Sequence, residues 1–274
     1  MNKKPNWTID PSFETDNIIG WLKNYFSTGS EVDTRAVIGM SGGKDSTIAA
    51  ALLTQAIGSE RVVGVIMPNG NMKDQNLAIE ICHHLGIMYT IIDIKDIYDN
   101  FISTFNNGWD DANEVVINNT PPRIRMAMLY AVAATCHGRV VNTCNDSEAY
   151  IGWETKWGDN VGDFSIFHAF PVRWVKMIGY ELCERGIIKK EWVDKIPDDG
   201  LCGHTDEDKF GFTYEELDNY IINNCSSDID IDTLTAINQM HNKSNHKRCV
   251  HLKHPYVVSK HKEGTEFQWE EDVW

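Results

Sequence analysis

Residues Gly39-Met40-Ser41-Gly42-Gly43-Lys44-Asp45-Ser46 combine the side chains and the backbone freedom that an anion site needs. Glycines let the main chain approach a ligand closely. Amides freed at a helix N-terminus then point at its negative charge. The pattern is not a Walker A loop, because Lys44 is followed by Asp45 and position 38 is Ile. The Gly-x-Gly-x-x-Gly fingerprint of dinucleotide folds is absent as well. An acid inside a phosphate loop repels the phosphate unless a cation lies between them. Asp45 is therefore a candidate magnesium ligand. The plainer alternative is a tight turn in which Asp45 only favours the first helical turn.

Such a loop needs a strand to deliver it and a helix to leave it. Residues 34–40 read as a short buried strand and 47–57 as a helix. Residues 61–68 form the next expected strand. Leu77, Ile81 and Leu85 repeat at helical spacing, with Gly86 as the stop. A strand at 87–94, a helix at about 122–136 and a strand at 139–142 follow, and 13–27 reads as a leading helix. The alternation predicts an α/β fold, a doubly wound parallel sheet of Rossmann-like type with extra C-terminal helices. Ligands in such sheets bind at the carboxyl ends of strands, here the turns at 40–46 and 142–148. Further helices are expected at 171–186 and 213–223. The irregular stretch 197–212 between them reads as a lid or as an ordinary loop.

Composition narrows the classes. The 274 residues are 42% hydrophobic and 24% charged, which is ordinary for a globular chain. No apolar run is long enough for a membrane span, and the N-terminus lacks a signal-peptide core. Seven scattered cysteines without a CxxC pair argue against a disulfide framework or a four-cysteine zinc site, and predict a reducing cytoplasmic setting. A net charge of −15 argues against non-specific nucleic-acid binding. Residues 198–232 hold eleven acids and one Lys, whereas 233–262 hold six Lys/Arg and no acid. The basic arm is either a local anion site or a solvated surface segment.

SGGKDS resembles the SGGxDS loop of the PP-loop ATP pyrophosphatases. Six further segments, in order, resemble the ammonia-dependent NAD synthetases within that superfamily. They are VIMPNG (65–70), PPRIRMAMLYAVA (121–133), NTCNDSEAYIGWETKWGD (142–159), VGDF (161–164), TDEDKFGFTYEELDNYI (205–221) and NHKR (245–248). The similarity runs from about residue 15 to 250. The resemblance implies adenylation of the nicotinate carboxylate of deamido-NAD by ATP, then displacement of AMP by ammonia, giving NAD and pyrophosphate.

It also implies roles. Residues Gly39, Met40, Ser41, Gly42, Gly43, Lys44, Asp45 and Ser46, with Thr143, would hold ATP. Asp45 and Glu148 would ligate Mg²⁺, although Glu148 by itself reads as a normal first-turn acid. Arg123, Lys156, Asp163, His246 and Lys247 would contact deamido-NAD. Asp159 is placed to take a proton from ammonium and joins Asp45 and Glu148 as a catalytic candidate. Tyr150, Trp153 and Trp157 would either stack on a ring or serve as core or dimer contacts. Cys144 reads as a small residue at a strand end.

Two departures stand out. Val172 occupies a position where the family carries a Lys, with Arg173 and Lys176 as possible substitutes, and Asp198 occupies that of a Thr. They keep two alternatives open: a degenerate nucleotide-binding protein, and a ligase for another carboxylate. Only about 35 residues precede the first strand, too few for the hydrolase domain of glutamine-dependent relatives, so free ammonia, or ammonia passed from a separate protein, is expected. The expected organisation is one domain over 1–274. Its sheet core spans about 34–145, a helical and lid part about 146–250 and a tail 251–274. The family further implies a homodimer, and order over ATP for residues 198–212.

Overall fold

The computed structural model describes residues 9–28, 33–195, 205–223 and 229–248. Asp198, the first part of the suggested lid, the tail 251–274, and Cys249, His251 and His254 of the basic arm lie outside the described residues. The chain opens with α1 (Pro11–Thr28), β1 (Arg35–Gly39), α2 (Lys44–Ile57), β2 (Val62–Ile66), α3 (Gln75–Leu85) and β3 (Met88–Ile91). It continues with α4 (Lys95–Gly108), α5 (Glu114–Thr135), β4 (Gly138–Asn142), α6 (Asp146–Ile151), β5 (Phe164–Ser165) and α7 (Val172–Glu184). Among the described residues five more helices follow: α8 (Lys190–Val193), α9 (Asp206–Phe210), α10 (Tyr214–Asn223), α11 (Ile231–Lys243) and α12 (Asn245–Arg248).

The expected parallel sheet is present, in the order β3-β2-β1-β4-β5. Its central strands are buried on both faces, so their sequence reads as a continuous apolar run. Successive side chains of β1 go to opposite layers. Ala36 and Ile38 join the core beneath α1, α2 and α7, while Val37 joins Val63, Val65 and Val140 beneath α5. α2 is covered almost all round. Its run Ala49-Ala50-Ala51 lets neighbouring helices approach, and Leu52 and Leu53 fill the layer. α1 buries Ile18, Leu22 and Phe26 at four-residue intervals. Gly86 caps α3 in the left-handed conformation, as expected.

β1 has β2 on one side and β4 on the other. The chain reverses its direction of winding between β1 and β4, which opens a crevice at their carboxyl ends. The loops 40–43 and 143–145 border it.

α4 was not expected from the sequence, and two further elements differ from the expected bounds or form. α5 begins at Glu114 and runs through Pro121 and Pro122, where the pattern predicts a start near 122. The side chain of Asn113 caps it by accepting from the Val116 amide at 3.1 Å, so the true start lies a full two turns before the prolines. Within 197–212, residues 206–210 form a helical turn. Thr205 and Asp208 make a reciprocal capping box, and Gly211 ends the turn.

Candidate active site

The glycine-rich loop is closed by its own hydroxyls. The side chain of Ser46 donates to the Gly43 carbonyl at 3.1 Å, and Thr47 Oγ1 donates to the same oxygen at 2.7 Å. Ser41 Oγ lies 3.1 Å from Ser46 Oγ and accepts from the Gly43 amide at 3.1 Å. Gly42 has a φ of +75°, and a Cβ there would lie 2.9 Å from the Asp74 carbonyl oxygen. Only glycine fits that position without movement. Gly39 ends β1, and the Met40 amide donates to the Val65 carbonyl at 2.9 Å, so the loop starts from a fixed point.

Behind the loop lies a group of charges. Lys44 is buried, and its Nζ donates to Asp45 Oδ2 at 2.8 Å. Burial pushes its pKa down, but Asp45, Glu148 and Asp206 outweigh that and leave it raised. Glu148 comes from the first turn of α6. The capping box there is reciprocal: Asn145 Oδ1 accepts from the Glu148 amide at 3.0 Å, and Glu148 Oε2 accepts from the Asn145 amide at 3.1 Å. Burial, and then the charge of Asp45, push the Glu148 carboxyl up to about 8, against the pull of Lys44. Tyr214 on α10 closes the far side, its hydroxyl 3.4 Å from Asp206 Oδ2. Burial followed by the charges of Glu148, Asp206 and Asp45 raises its pKa well above the ordinary value. The loops after β1 and β4 thus meet, and α9 and α10 join them.

A second group surrounds residues 152–160. Lys247 Nζ donates to the carbonyls of Gly152 and Glu154 at 2.7 and 2.6 Å. Lys156 Nζ donates to the His246 carbonyl, and Arg123 Nε donates to the Lys156 carbonyl at 3.2 Å. Four of the five expected dinucleotide contacts are therefore neighbours. Asp163 is held elsewhere, at the β4–β5 edge, where its Oδ2 accepts from the Val140 amide at 2.7 Å. Asp159 lies between the two groups. Asp159 is exposed, yet the surrounding protein raises its pKa by desolvation against the Thr155 amide, from which it accepts at 2.6 Å. Thr143 is partly exposed in the β4–α6 turn. Cys144 is buried, and its thiol donates to the Asp159 carbonyl at 3.3 Å. Burial, reinforced by nearby carboxylates, raises its pKa well above the ordinary value, so it is held as a thiol.

The aromatic residues divide. Tyr150 stacks on His241 with centroids 4.1 Å apart, and Trp153 meets Phe210 edge-on at 4.6 Å, so both pack within the protein. Trp157 is 42% exposed and has a φ of +62°, an uncommon conformation for a non-glycine residue.

Sequence reasoning passed over several side chains here. Arg125 Nε donates to the Met67 carbonyl at the end of β2, 3.0 Å away, and Arg125 lies within electrostatic reach of Asp159. The two-residue offset from Arg123 places them on different faces of α5, a usable signal. Asn142 Nδ2 donates to the Asp159 carbonyl at 2.9 Å. Val172 is buried among Ile151, Phe210 and Leu217, and Arg173 Nη2 donates to Asn219 Oδ1 at 2.8 Å. The lysine that reaches the glycine-rich loop is Lys195, which donates to the Gly42 carbonyl at 3.1 Å.

A divalent cation suits this arrangement. Asp45 Oδ1 is buried with no hydrogen-bond partner among the described residues. Burial first, and then the charge of Asp45, favour the protonated form of Glu148. Among the described residues no three His, Cys, Asp or Glu side chains form a metal cage. Two carboxylates with bonding capacity to spare fit an ion whose other ligands are phosphate oxygens and water.

The sequence profile of the NAD synthase family matches residues 14–251. The NH3-dependent NAD(+) synthetase of Finegoldia magna is 34% identical over 239 residues, covering 85% of this chain and 92% of that protein. The solved NMN synthetase of Francisella tularensis superposes with a TM-score of 0.81 at 30% identity, covering 90% of this chain and 100% of that one. The NH3-dependent NAD synthetase of Campylobacter jejuni shares the fold, with a TM-score of 0.71 at 23% identity over 90% of this chain and 99% of that one.

Proposed function

The chain belongs to the NAD synthase family and is a ligase of that class, and we propose that its reaction converts deamido-NAD, ATP and ammonia into NAD, AMP and pyrophosphate. The observation that carries this reading is the meeting of Asp45 and Glu148, from the first turns of the two helices, α2 and α6, that leave the β1–β4 crevice. Residues 39–46, with Thr143, would bind the ATP phosphates. The nicotinate carboxylate attacks the α-phosphorus and pyrophosphate leaves. Ammonia then attacks the acyl carbon and AMP leaves. Charge gathers on phosphate oxygens, so the loop amides and Lys44 are the natural stabilisers. Held by Asp45 and Glu148, Mg²⁺ would supply charge neutralisation at those oxygens. Asp159, accessible and raised in pKa, is suited to accept the proton that ammonium must lose. Arg123, Lys156, His246 and Lys247, neighbours around residues 152–156, would contact deamido-NAD, with Asp163 at the β4–β5 edge.

A homodimer is part of this proposal. α4 has no buried residue among those described, and Ile97 and Phe101 on it are 44% and 49% exposed. α4 packs on α5, whose Val115 and Ile117 are also exposed. An apolar surface of this kind favours a second copy. Phe101→Glu is expected to convert dimers to monomers in sedimentation runs. Among the described residues no helix is long and apolar enough to cross a membrane, and Cys82, Cys136, Cys144 and Cys183 are free thiols. Both fit the cytoplasmic setting that we propose.

A second reading shortens the substrate. The Francisella tularensis structure has a higher TM-score than the Campylobacter jejuni one, and that protein is an NMN synthetase. Nicotinate mononucleotide presents the same carboxylate without the adenylyl group. One experiment decides: incubation with ATP, Mg²⁺ and ammonium plus either acid, followed by mass analysis. NAD, AMP and pyrophosphate from deamido-NAD support the first reading. Faster amidation of the mononucleotide supports the second, and AMP release with neither acid excludes both.

A further inference from the structure

The Gly42–Gly43 peptide carries one of the amides expected to face phosphate, yet neither residue has a Cβ to hold it. A peptide between two glycines turns over easily, because ψ of the first and φ of the second are both unrestricted. Turned over, it would aim the Gly42 carbonyl at an anion. Its planarity also means that fixing one end fixes the other, since C=O and N–H point in opposite directions. In this structure both ends are engaged. The Gly43 amide donates to Ser41 Oγ at 3.1 Å, and the Gly42 carbonyl accepts from Lys195 Nζ at 3.1 Å. Lys195 is in turn paired with Asp74 Oδ2 at 2.6 Å, and both side chains are about four-fifths buried, at 21% and 22% exposure. Asp74 packs directly on the loop, its carbonyl oxygen and Cβ lying 2.9 and 3.0 Å from where a Gly42 Cβ would stand. Three segments distant in sequence therefore converge on one carbonyl: the β1–α2 loop, the residue before α3 and the residue that follows α8 by two.

We propose that Lys195, aimed by Asp74, is a positioning residue that locks the Gly42–Gly43 peptide with its amide on the Ser41 side, the side expected to meet the phosphates. The inference rests on residues 39–46 being the ATP-phosphate loop. Lys195 acts through the backbone, because its charge is already matched by Asp74. That separates it from a lysine that binds phosphate directly, and the two roles predict opposite effects of removing Asp74. A direct ligand restrained by Asp74 would bind anions more tightly once freed. A positioning lysine would lose its aim and bind them less well.

The test is calorimetric binding of Mg²⁺-ATP and of inorganic pyrophosphate to the full chain, with steady-state kinetics alongside. Lys195→Met is expected to weaken both ligands about tenfold and to raise KM for ATP, leaving KM for the nicotinate acid unchanged. Asp74→Asn is expected to weaken them severalfold, and the double variant to be no worse than Lys195→Met alone. Lys195→Arg should recover most of the affinity. Unchanged affinity in Lys195→Met, or tighter binding in Asp74→Asn, would overturn the assignment. Should Lys195→Met fail to fold by circular dichroism, Asp74→Asn and Lys195→Arg decide the matter. Failure of the unaltered protein to bind either ligand would instead overturn the reading of the loop, which distinguishes the two failures.

Discussion

Around residues 39–46 and 145–148, charged side chains keep bonding capacity in reserve. Around residues 152–160, they spend it on the main chain. Among the described residues Asp45 holds a buried oxygen without a hydrogen-bond partner, and burial with the charge of Asp45 raises the pKa of Glu148 to about 8. By contrast, Lys247 uses two of its three donors on the carbonyls of Gly152 and Glu154, while Lys156 and Arg123 each serve a carbonyl of the same neighbourhood. The first region is a charge imbalance awaiting a ligand. The second is a scaffold whose cations have remaining donors to offer. Residue type alone does not separate these cases. The local count of satisfied donors and acceptors does.

The most severe way to break the contrast is to remove a reserved acid. Asp45→Asn or Glu148→Gln is expected to lower turnover at least about a hundredfold by weakening the metal and the phosphate charge balance. Near-normal rates in both would mean that the imbalance has no catalytic use. A smaller effect tests the other region. Lys247→Met should raise KM for the nicotinate acid about tenfold and also lower Tm, because one ammonium serves both loop and substrate. A lower Tm with KM unmoved would leave the lysine a structural tie only. The mildest effect comes with pH. With its pKa pushed up to about 8 by burial and Asp45, Glu148 must lose a proton before it accepts Mg²⁺. Magnesium affinity should rise with pH, by at most about tenfold per unit below 8, and level off above it. Glu148→Gln should flatten the profile. The metal-free fold should correspondingly lose stability as pH rises from about 4.5 to about 8, since only the unfolded chain has then released this proton.

The glycine-rich loop was legible because its chemistry is contiguous in the chain. Strand, glycines, Lys44 and Asp45 stand in order, and the local backbone enforces their arrangement. The alternation of strands and helices predicted the sheet for a similar reason, since each short apolar run is buried by its own neighbours. Lys195 and Asp74 were not legible. They lie 153 and 32 positions from Gly42 (195 − 42 and 74 − 42), and nothing local marks either as its partner. α4 was missed because its apolar residues cover no core, so its exposed stripe did not stand out as a packing element. α9 was read as irregular because a five-residue turn has no period to detect, although Thr205 and Asp208 stand at capping-box spacing. Tyr150 and Trp153 show the limit from the other direction. Their type and spacing suit a ring-binding face, but His241 and Phe210 already occupy those faces.

Glu148 caps the start of α6 with one oxygen while its carboxyl lies within electrostatic reach of Asp45. Its rotamer is therefore chosen during folding, before any ion arrives, and the entropy of stilling a flexible glutamate, roughly 1.5–2 kcal/mol, is not charged to binding. An aspartate at the same place would be one methylene short for both tasks at once, so this helix cannot be repaired separately from the chemistry at its tip.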